Sequence, residues 1–343
     1  MKNNRIFIIS LIILIAVSAT AFSDDLDLPI PTSLEDLKNA ASDFSSNIAQ
    51  ALPFNSTMGL NWSDAYIGQL FGVPPRFGVG LTVGATFIPI VDMNELLDMF
   101  NIKLPIEISL GLPLPSYTVE GRIGGIILPF DLGVKVGWIP SFDLPYVDVG
   151  LKYLLFGVDL RYSLLPKNIP IVKLSVGLGY NYLTGGLSKS IPAGGLPSFE
   201  FSDPDLGIDY SLDIADPTIY LDWNTHCFEV KAQASFSLLI ITPYAGIGFS
   251  YAKSEAGYRA KTDVTVNGGA VELDDVMDLL QDTFGLENLS PNGFGAMKSA
   301  ENYNLRAYGG ISFNLTKVRI DLTLMYNFFS KSLGGTIGTR FQM

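Results

Sequence analysis

The sequence predicts an all-β chain: a transmembrane, antiparallel, up-and-down β-barrel of about fourteen strands (twelve to fourteen), preceded by a helical segment. Three observations lead there. From Arg76 onward, apolar and polar residues alternate in stretch after stretch, and period two marks a strand with unlike surroundings on its two faces. Hydrophobic residues make up 48% of the chain and mean hydropathy is +0.31, yet they alternate instead of clustering, and 34 residues are Gly. That composition suits an apolar outside and a polar, Gly-lined inside. Finally, the long insertions all fall on one end of the expected barrel when strands are numbered back from the last one.

The first residues read as an export signal. Lys2 and Arg5 precede an apolar run over 6–17, and Ala19-Thr20-Ala21 offers a small-x-small cleavage site, so 1–21 is expected to be a signal peptide. Residues 22–75 are expected to form an N-terminal helical plug or periplasmic segment. Thr32 and Glu35 make a capping box, and Leu34, Leu37, Ala41, Phe44, Ile48 and Ala51 share one helical face over 33–51. The barrel is expected over 76–343.

The strands are then taken in order. Phe77, Val79, Leu81, Val83 and Ala85 face one side of the first, against Gly78, Gly80, Thr82 and Gly84. A weaker alternation follows over 102–110, where Pro105 argues against a central strand. Further strands are expected over 117–127, 132–138, 147–155, 156–164, 172–182, 208–214, 219–223, 228–238, 244–251, 305–315 and 318–328. Extracellular loops are expected at 185–205 and 253–302, with 91–101 beside them. Short periplasmic turns are expected near 113–115, 140–145, 166–170, 216–217, 241–243 and 316. Aromatic residues fall near strand ends, Tyr117, Trp138, Phe313 and Phe341 toward one interface and Tyr180, Trp223, Tyr251 and Phe328 toward the other.

The last strand, 336–343, alternates strictly: Ile337, Thr339, Phe341 and Met343 one way, Thr336, Gly338, Arg340 and Gln342 the other. Thr336, Gly338, Phe341 and Met343 resemble the C-terminal insertion signal of bacterial outer-membrane β-barrels. The resemblance implies an outer-membrane location and, as partners, outer-membrane lipid and the barrel-assembly machinery. About fourteen strands behind an N-terminal plug also resemble, in architecture, the outer-membrane transporters of fatty acids and aromatic hydrocarbons.

Chemistry on such a chain belongs to the polar face. It is expected to line the lumen with Glu120, Arg122, Asp131, Lys135, Asp148, Lys152, Asp159, Arg161, Arg319, Asp321 and Arg340. With Lys103, Glu107, Lys173, Asp209, Asp213, Asp222, Glu229, Lys231 and Arg306 added, basic and acidic residues balance at ten to ten. A strongly selective pore would carry one sign in excess, so the balance predicts cross-strand ion pairs. A two-residue turn at Leu155-Phe156 would set Lys152 opposite Asp159. The one histidine, His226, has Asp222 and Asn224 nearby but no nucleophile at a useful offset, and the single Cys227 forms no framework. Asp274, Asp275 and Asp278 lack the Gly and terminal Glu of a calcium loop. No enzyme, cofactor or metal site is expected. A net charge of −12 excludes nucleic acid as a partner. The expected function is a channel or uptake protein for a small-molecule solute, hydrophobic ones included. The alternative is a structural or surface-interaction barrel with a filled lumen, binding through its extracellular loops.

Overall fold

The computed structural model describes residues 34–67, 76–88, 112–124, 129–144, 149–165, 171–190, 199–203, 208–214, 218–261, 264–266, 269–270 and 294–343. Among the described residues one helix, α1 (Leu34–Ser56), precedes fourteen strands. In chain order these are β1 (Phe77–Ile88), β2 (Leu112–Gly124), β3 (Phe130–Leu144), β4 (Val149–Ser163), β5 (Val172–Ser190), β6 (Phe199–Asp203), β7 (Ile208–Ile214), β8 (Thr218–Phe236), β9 (Ile241–Lys261), β10 (Val264–Val266), β11 (Gly269–Ala270), β12 (Phe294–Leu315), β13 (Val318–Asn327) and β14 (Leu333–Gln342).

Ten strands close an antiparallel barrel in the order β1-β14-β13-β12-β9-β8-β5-β4-β3-β2, and β11-β10-β7-β6 form a small separate sheet. The seam runs from Gly78 paired with Gln342 to Phe87 paired with Leu333. β1 starts and β14 ends at the same rim. Short connections at 237–240 and 316–317 share that rim, while the connections that carry the small sheet, 191–217 and 262–293, leave the opposite one. Short turns mark the periplasmic end and long loops the extracellular end.

The barrel wall therefore has ten strands, not about fourteen. The expected strand at 102–110 lies outside the described residues. The one at 208–214 is β7 of the small sheet. The pairs 147–155 with 156–164, and 219–223 with 228–238, are each a single strand, β4 and β8. The expected periplasmic turns near 113–115 and 140–145 lie instead inside β2 and β3 at their extracellular ends. This removes one of the two features behind the resemblance to hydrocarbon transporters.

The physical reason for the miscount is an exchange of faces. In the lower part of β8, Phe228 and Val230 point outward and are more than half exposed, while Glu229 and Lys231 are buried inside. In its upper part, Asp222, Asn224 and His226 point outward, while Leu221, Trp223 and Cys227 are buried inside. β4 does the same at Leu155 and Phe156: Leu155 is wholly buried in the interior and Phe156 is exposed outside. A change in polarity phase reads as a chain break, but here the strand has passed out of lipid into water. The register places Tyr180, Phe228, Tyr251 and Tyr303 side by side across β5, β8, β9 and β12, with His226, Lys253 and Glu301 in the row above. That aromatic row is the outer girdle. Trp138 and Tyr117 lie on the extracellular halves of β3 and β2, not near the periplasm, and Trp223 faces inward. At the other rim Phe77, Phe130, Tyr162, Phe236, Phe313 and Phe341 form the inner girdle. Between the girdles the exposed outer face is aliphatic, with Val79, Leu81, Val134, Val230, Leu322 and Ile337 among its members.

A closed, even-stranded antiparallel barrel with a lipid-facing aliphatic band between two aromatic girdles is an outer-membrane β-barrel. The chain crosses the membrane with strands. Leu322, 40% exposed in the middle of β13, tests the wall. Leu322→Arg is expected to cost roughly 2–4 kcal/mol in denaturant unfolding from lipid vesicles. Lys331→Leu, in the turn beyond the girdle, should change stability by less than about 0.5 kcal/mol. Equal effects at the two positions would contradict the register.

Candidate functional site

Inside the wall runs the chain's own N-terminal segment. Helix α1 has an apolar stripe too short to be stable alone in water, so it needs a surface. Ile48, Ala49, Ala51 and Leu52 find one in Tyr153, Leu155, Leu183, Leu221, Trp223 and Ala256, all above the outer girdle. Lower down, Phe54 and Met58 pack with Tyr244, Tyr308 and Met325. Each large apolar side chain buried this way contributes on the order of 1.5–3 kcal/mol. The helix stops at Ser56. Gly59 (φ +82°) and Leu60 (φ +56°) then turn the chain. A Cβ on Gly59 would lie 2.7 Å from Glu120 Oε1, so this turn needs glycine for both conformation and clearance. Gly78 clears space for Trp62 in the same way, with the ring 2.8 Å from where a Cβ would be.

From there to Ile67 the segment is buried and bonded to the wall at almost every residue. Asn55 Nδ2 donates to Thr86 Oγ1 (3.0 Å) and Leu114 O (2.9 Å). Lys135 Nζ donates to the carbonyls of Ser56 (2.7 Å) and Met58 (2.5 Å). Arg122 donates to Leu60 O, Gln233 to Trp62 O and Arg161 to Asp64 O. Trp62 Nε1 donates to Glu120 Oε2 at 2.6 Å, and its ring lies near Arg340 (4.8 Å) and Arg122 (5.6 Å). Asp64 receives Lys173 Nζ at 2.8 Å, Arg340 Nη2 at 3.2 Å, Gln342 Nε2 at 3.2 Å and also Arg319. Last, Ile67 N donates to Asp131 Oδ2 at 2.9 Å.

Around this segment the wall pairs with itself. Arg122 bridges Asp131 (2.6 Å) and Asp159 (2.7 Å). Arg161 holds Asp131 through two nitrogens at 2.8 Å each, and Lys231 holds Asp159 at 2.6 Å. Arg306 grips Glu229 with Nε (2.5 Å) and Nη2 (3.1 Å), and Nη2 also reaches Asn61 Oδ1. These pairs are almost wholly buried. Losing one partner from such a pair leaves an uncompensated charge, which is far more costly than the pair is stabilising.

The expected lumen residues sort as follows. Glu120, Arg122, Asp131, Lys135, Asp159, Arg161, Asp321 and Arg340 are buried inside, and Arg319 is half-buried there. Lys152 is a correction: it is exposed on the outer face near the extracellular rim, because β4 runs straight through Leu155-Phe156 and positions 152 and 159 fall on opposite faces. No turn sets it opposite Asp159. Asp148 lies outside the described residues. Asp209 and Asp213 belong to the small sheet, and Asp222 faces outward beside Arg259. The ten-to-ten balance therefore changes. Between the girdles, among the described residues, Arg122, Lys135, Arg161, Lys173, Lys231, Arg306, Arg319 and Arg340 face Glu120, Asp131, Asp159, Glu229 and Asp321. The wall has more cation than anion, and the luminal segment supplies the rest: the Asp64 carboxylate and the carbonyls of Ser56, Met58, Leu60 and Asp64. Sequence reading missed Asp64. The available signal was that it is the only charged residue in 44–75.

His226 sits on the outer girdle, its Nδ1 2.8 Å from Tyr180 OH. Cys227 is buried beneath it on the inner face. Among the described residues no group of His, Cys, Asp and Glu is placed to hold a metal. In the last strand Thr336 and Gly338 face the lumen, while Phe341 and Met343 are exposed outside.

A family model described as Lsa36-like matches residues 103–343, a stretch that begins after the luminal segment and β1. No curated protein matches the chain. Among solved structures, the chain is similar to Ail, the attachment invasion locus protein of Yersinia pestis, in complex with the heparin analogue sucrose octasulfate. That match has 10% identity over 78% of this chain and 99% of that one, at a TM-score of 0.30. It is similar to the outer membrane protease OmpT from Escherichia coli at 10% identity, 79% and 97% coverage and TM-score 0.37. The translocator domain of the autotransporter NalP from Neisseria meningitidis matches at 10% identity, 89% and 97% coverage and TM-score 0.36. Superpositions this loose carry no functional information.

Proposed function

The chain belongs to the Lsa36-like family, and we propose that it works as a closed outer-membrane barrel acting at the cell surface, not as a pore. One observation carries this reading: the lumen is filled by residues 45–67, bonded to the wall from the outer girdle down to the periplasmic rim. A permeating solute would have to displace buried ion pairs and carbonyl-bonded cations, each costly to leave unmatched. What the protein offers outward is the tall extension of β5, β8, β9 and β12 with the small sheet between their loops. The loops 191–217 and 262–293 carry thirteen Asp and Glu and no Lys or Arg. Contacts made there favour basic partners and weaken as salt screens them.

In planar bilayers the purified full-length protein is expected to give no unitary current steps at any salt concentration. Stable steps, or uptake of a small solute by protein-containing vesicles, would overturn the closed-barrel reading in favour of transport.

A further inference from the structure

The direction in which the segment threads the barrel has a consequence for the cell. Above the outer girdle, strands of the wall are polar outside and apolar inside, so they stand in water with an apolar body behind them. That body is α1: Ile48, Ala49 and Leu52 pack there on Leu183, Trp223 and Ala256. The chain then descends. Met58 lies at the level of Tyr308, Trp62 reaches Glu120, Asp64 reaches Arg340, and Ile67 meets Asp131 near the periplasmic rim. Residue number rises toward the periplasm throughout. The first residue of the helix, Leu34, stands fourteen positions before Ile48. At 1.5 Å per residue that is about 20 Å of helix upstream of Ile48.

We propose that the chain enters its lumen from the external medium and leaves it into the periplasm, so that the arm upstream of the barrel is presented at the cell surface. A plug that is drawn out by pulling from the periplasm needs its upstream end there. This segment has the opposite polarity: its periplasmic end is tied into β1, and its upstream end is outside. The barrel thus holds its own N-terminal arm through the membrane and displays it beside the tall strands.

Single cysteines and a membrane-impermeant maleimide test this in intact cells. The native Cys227 is buried and gives no background. Lys331→Cys, exposed in the extracellular turn between β13 and β14, and Lys317→Cys, exposed in the periplasmic turn between β12 and β13, set the scale and test the barrel orientation separately. The probes are three separate substitutions in the first two turns of α1, Asp36→Cys, Lys38→Cys and Asn39→Cys. At least one is expected to react in intact cells at least half as fully as Lys331→Cys, while Lys317→Cys reacts only after permeabilisation. If none of the three reacts until the outer membrane is opened, the proposed polarity is wrong even though the barrel stands.

Discussion

Asp64→Ala is expected to destabilise the folded protein by about 3 kcal/mol, toward the low end of the cost of breaking a buried ion pair. The carboxylate sits among Lys173, Arg319 and Arg340 and accepts from Gln342 as well. Without it three cations face one another. Lys173 and Arg319 keep about a fifth of their side chains in water and lose little. Arg340 is buried and retains Asp321, at 3.4 Å, as its one anionic partner, beside the neutral Ser63 hydroxyl and the Trp62 ring. Asp64→Asn keeps an acceptor in place and should recover part of the loss. Denaturant unfolding followed by the gel shift between folded and unfolded barrel measures both. Closure of the lumen should survive, because the apolar packing of α1 and the carbonyls around Lys135 are untouched. An Asp64→Ala protein as stable as the parent would mean that the four-way contact contributes nothing.

Deleting residues 24–67 is expected to convert a closed barrel into an anion-selective pore. The deletion removes no wall strand, and the pairs among Arg122, Arg161, Lys231, Asp131, Asp159, Arg306 and Glu229 remain. The partners of Lys135, Lys173 and Arg319 go with the segment, leaving the lumen with cation in excess. The reversal potential across a salt gradient should therefore favour chloride. The effect should be strongest near 0.1 M, where screening reaches about 10 Å, and weaker near 1 M, where it falls to about 3 Å. Removing only 24–51 leaves Phe54 to Ile67 in the lumen and should conduct little or nothing. Cation selectivity in the longer deletion would show that the luminal charge has been misjudged.

The barrel itself was legible in the sequence because lipid on one side and polar groups on the other impose period two. Thr336 to Met343 and Phe77 to Ala85 are oriented as their patterns predict. The count failed at Leu155-Phe156 and around Cys227-Phe228, where apolar residues change faces as water replaces lipid outside and helix α1 replaces polar groups inside. A pattern rule that assumes one environment per face reads that exchange as a turn. Lys152 was lost for the same reason. The ion-pair network was legible as a set of polar-face charges but not as a set of partners. Asp64 meets Lys173 across 109 residues and Arg340 across 276, and no local spacing encodes either contact.

The seam between β1 and β14 also sets the order of assembly. Trp62 packs on Gly78 in β1, and the neighbouring Ser63 and Asp64 are bonded to Arg340 in β14, so one short stretch touches both edges that must meet. Side chains the size of Phe54 and Trp62, packed inside a closed ring of ten strands, have no path through that ring once it is sealed. The arm must lie in place while the sheet is still open, and pairing of the first and last strands seals it there. Closing the barrel and locking its cargo are then one event, and the protein has no later step at which an empty barrel could be filled.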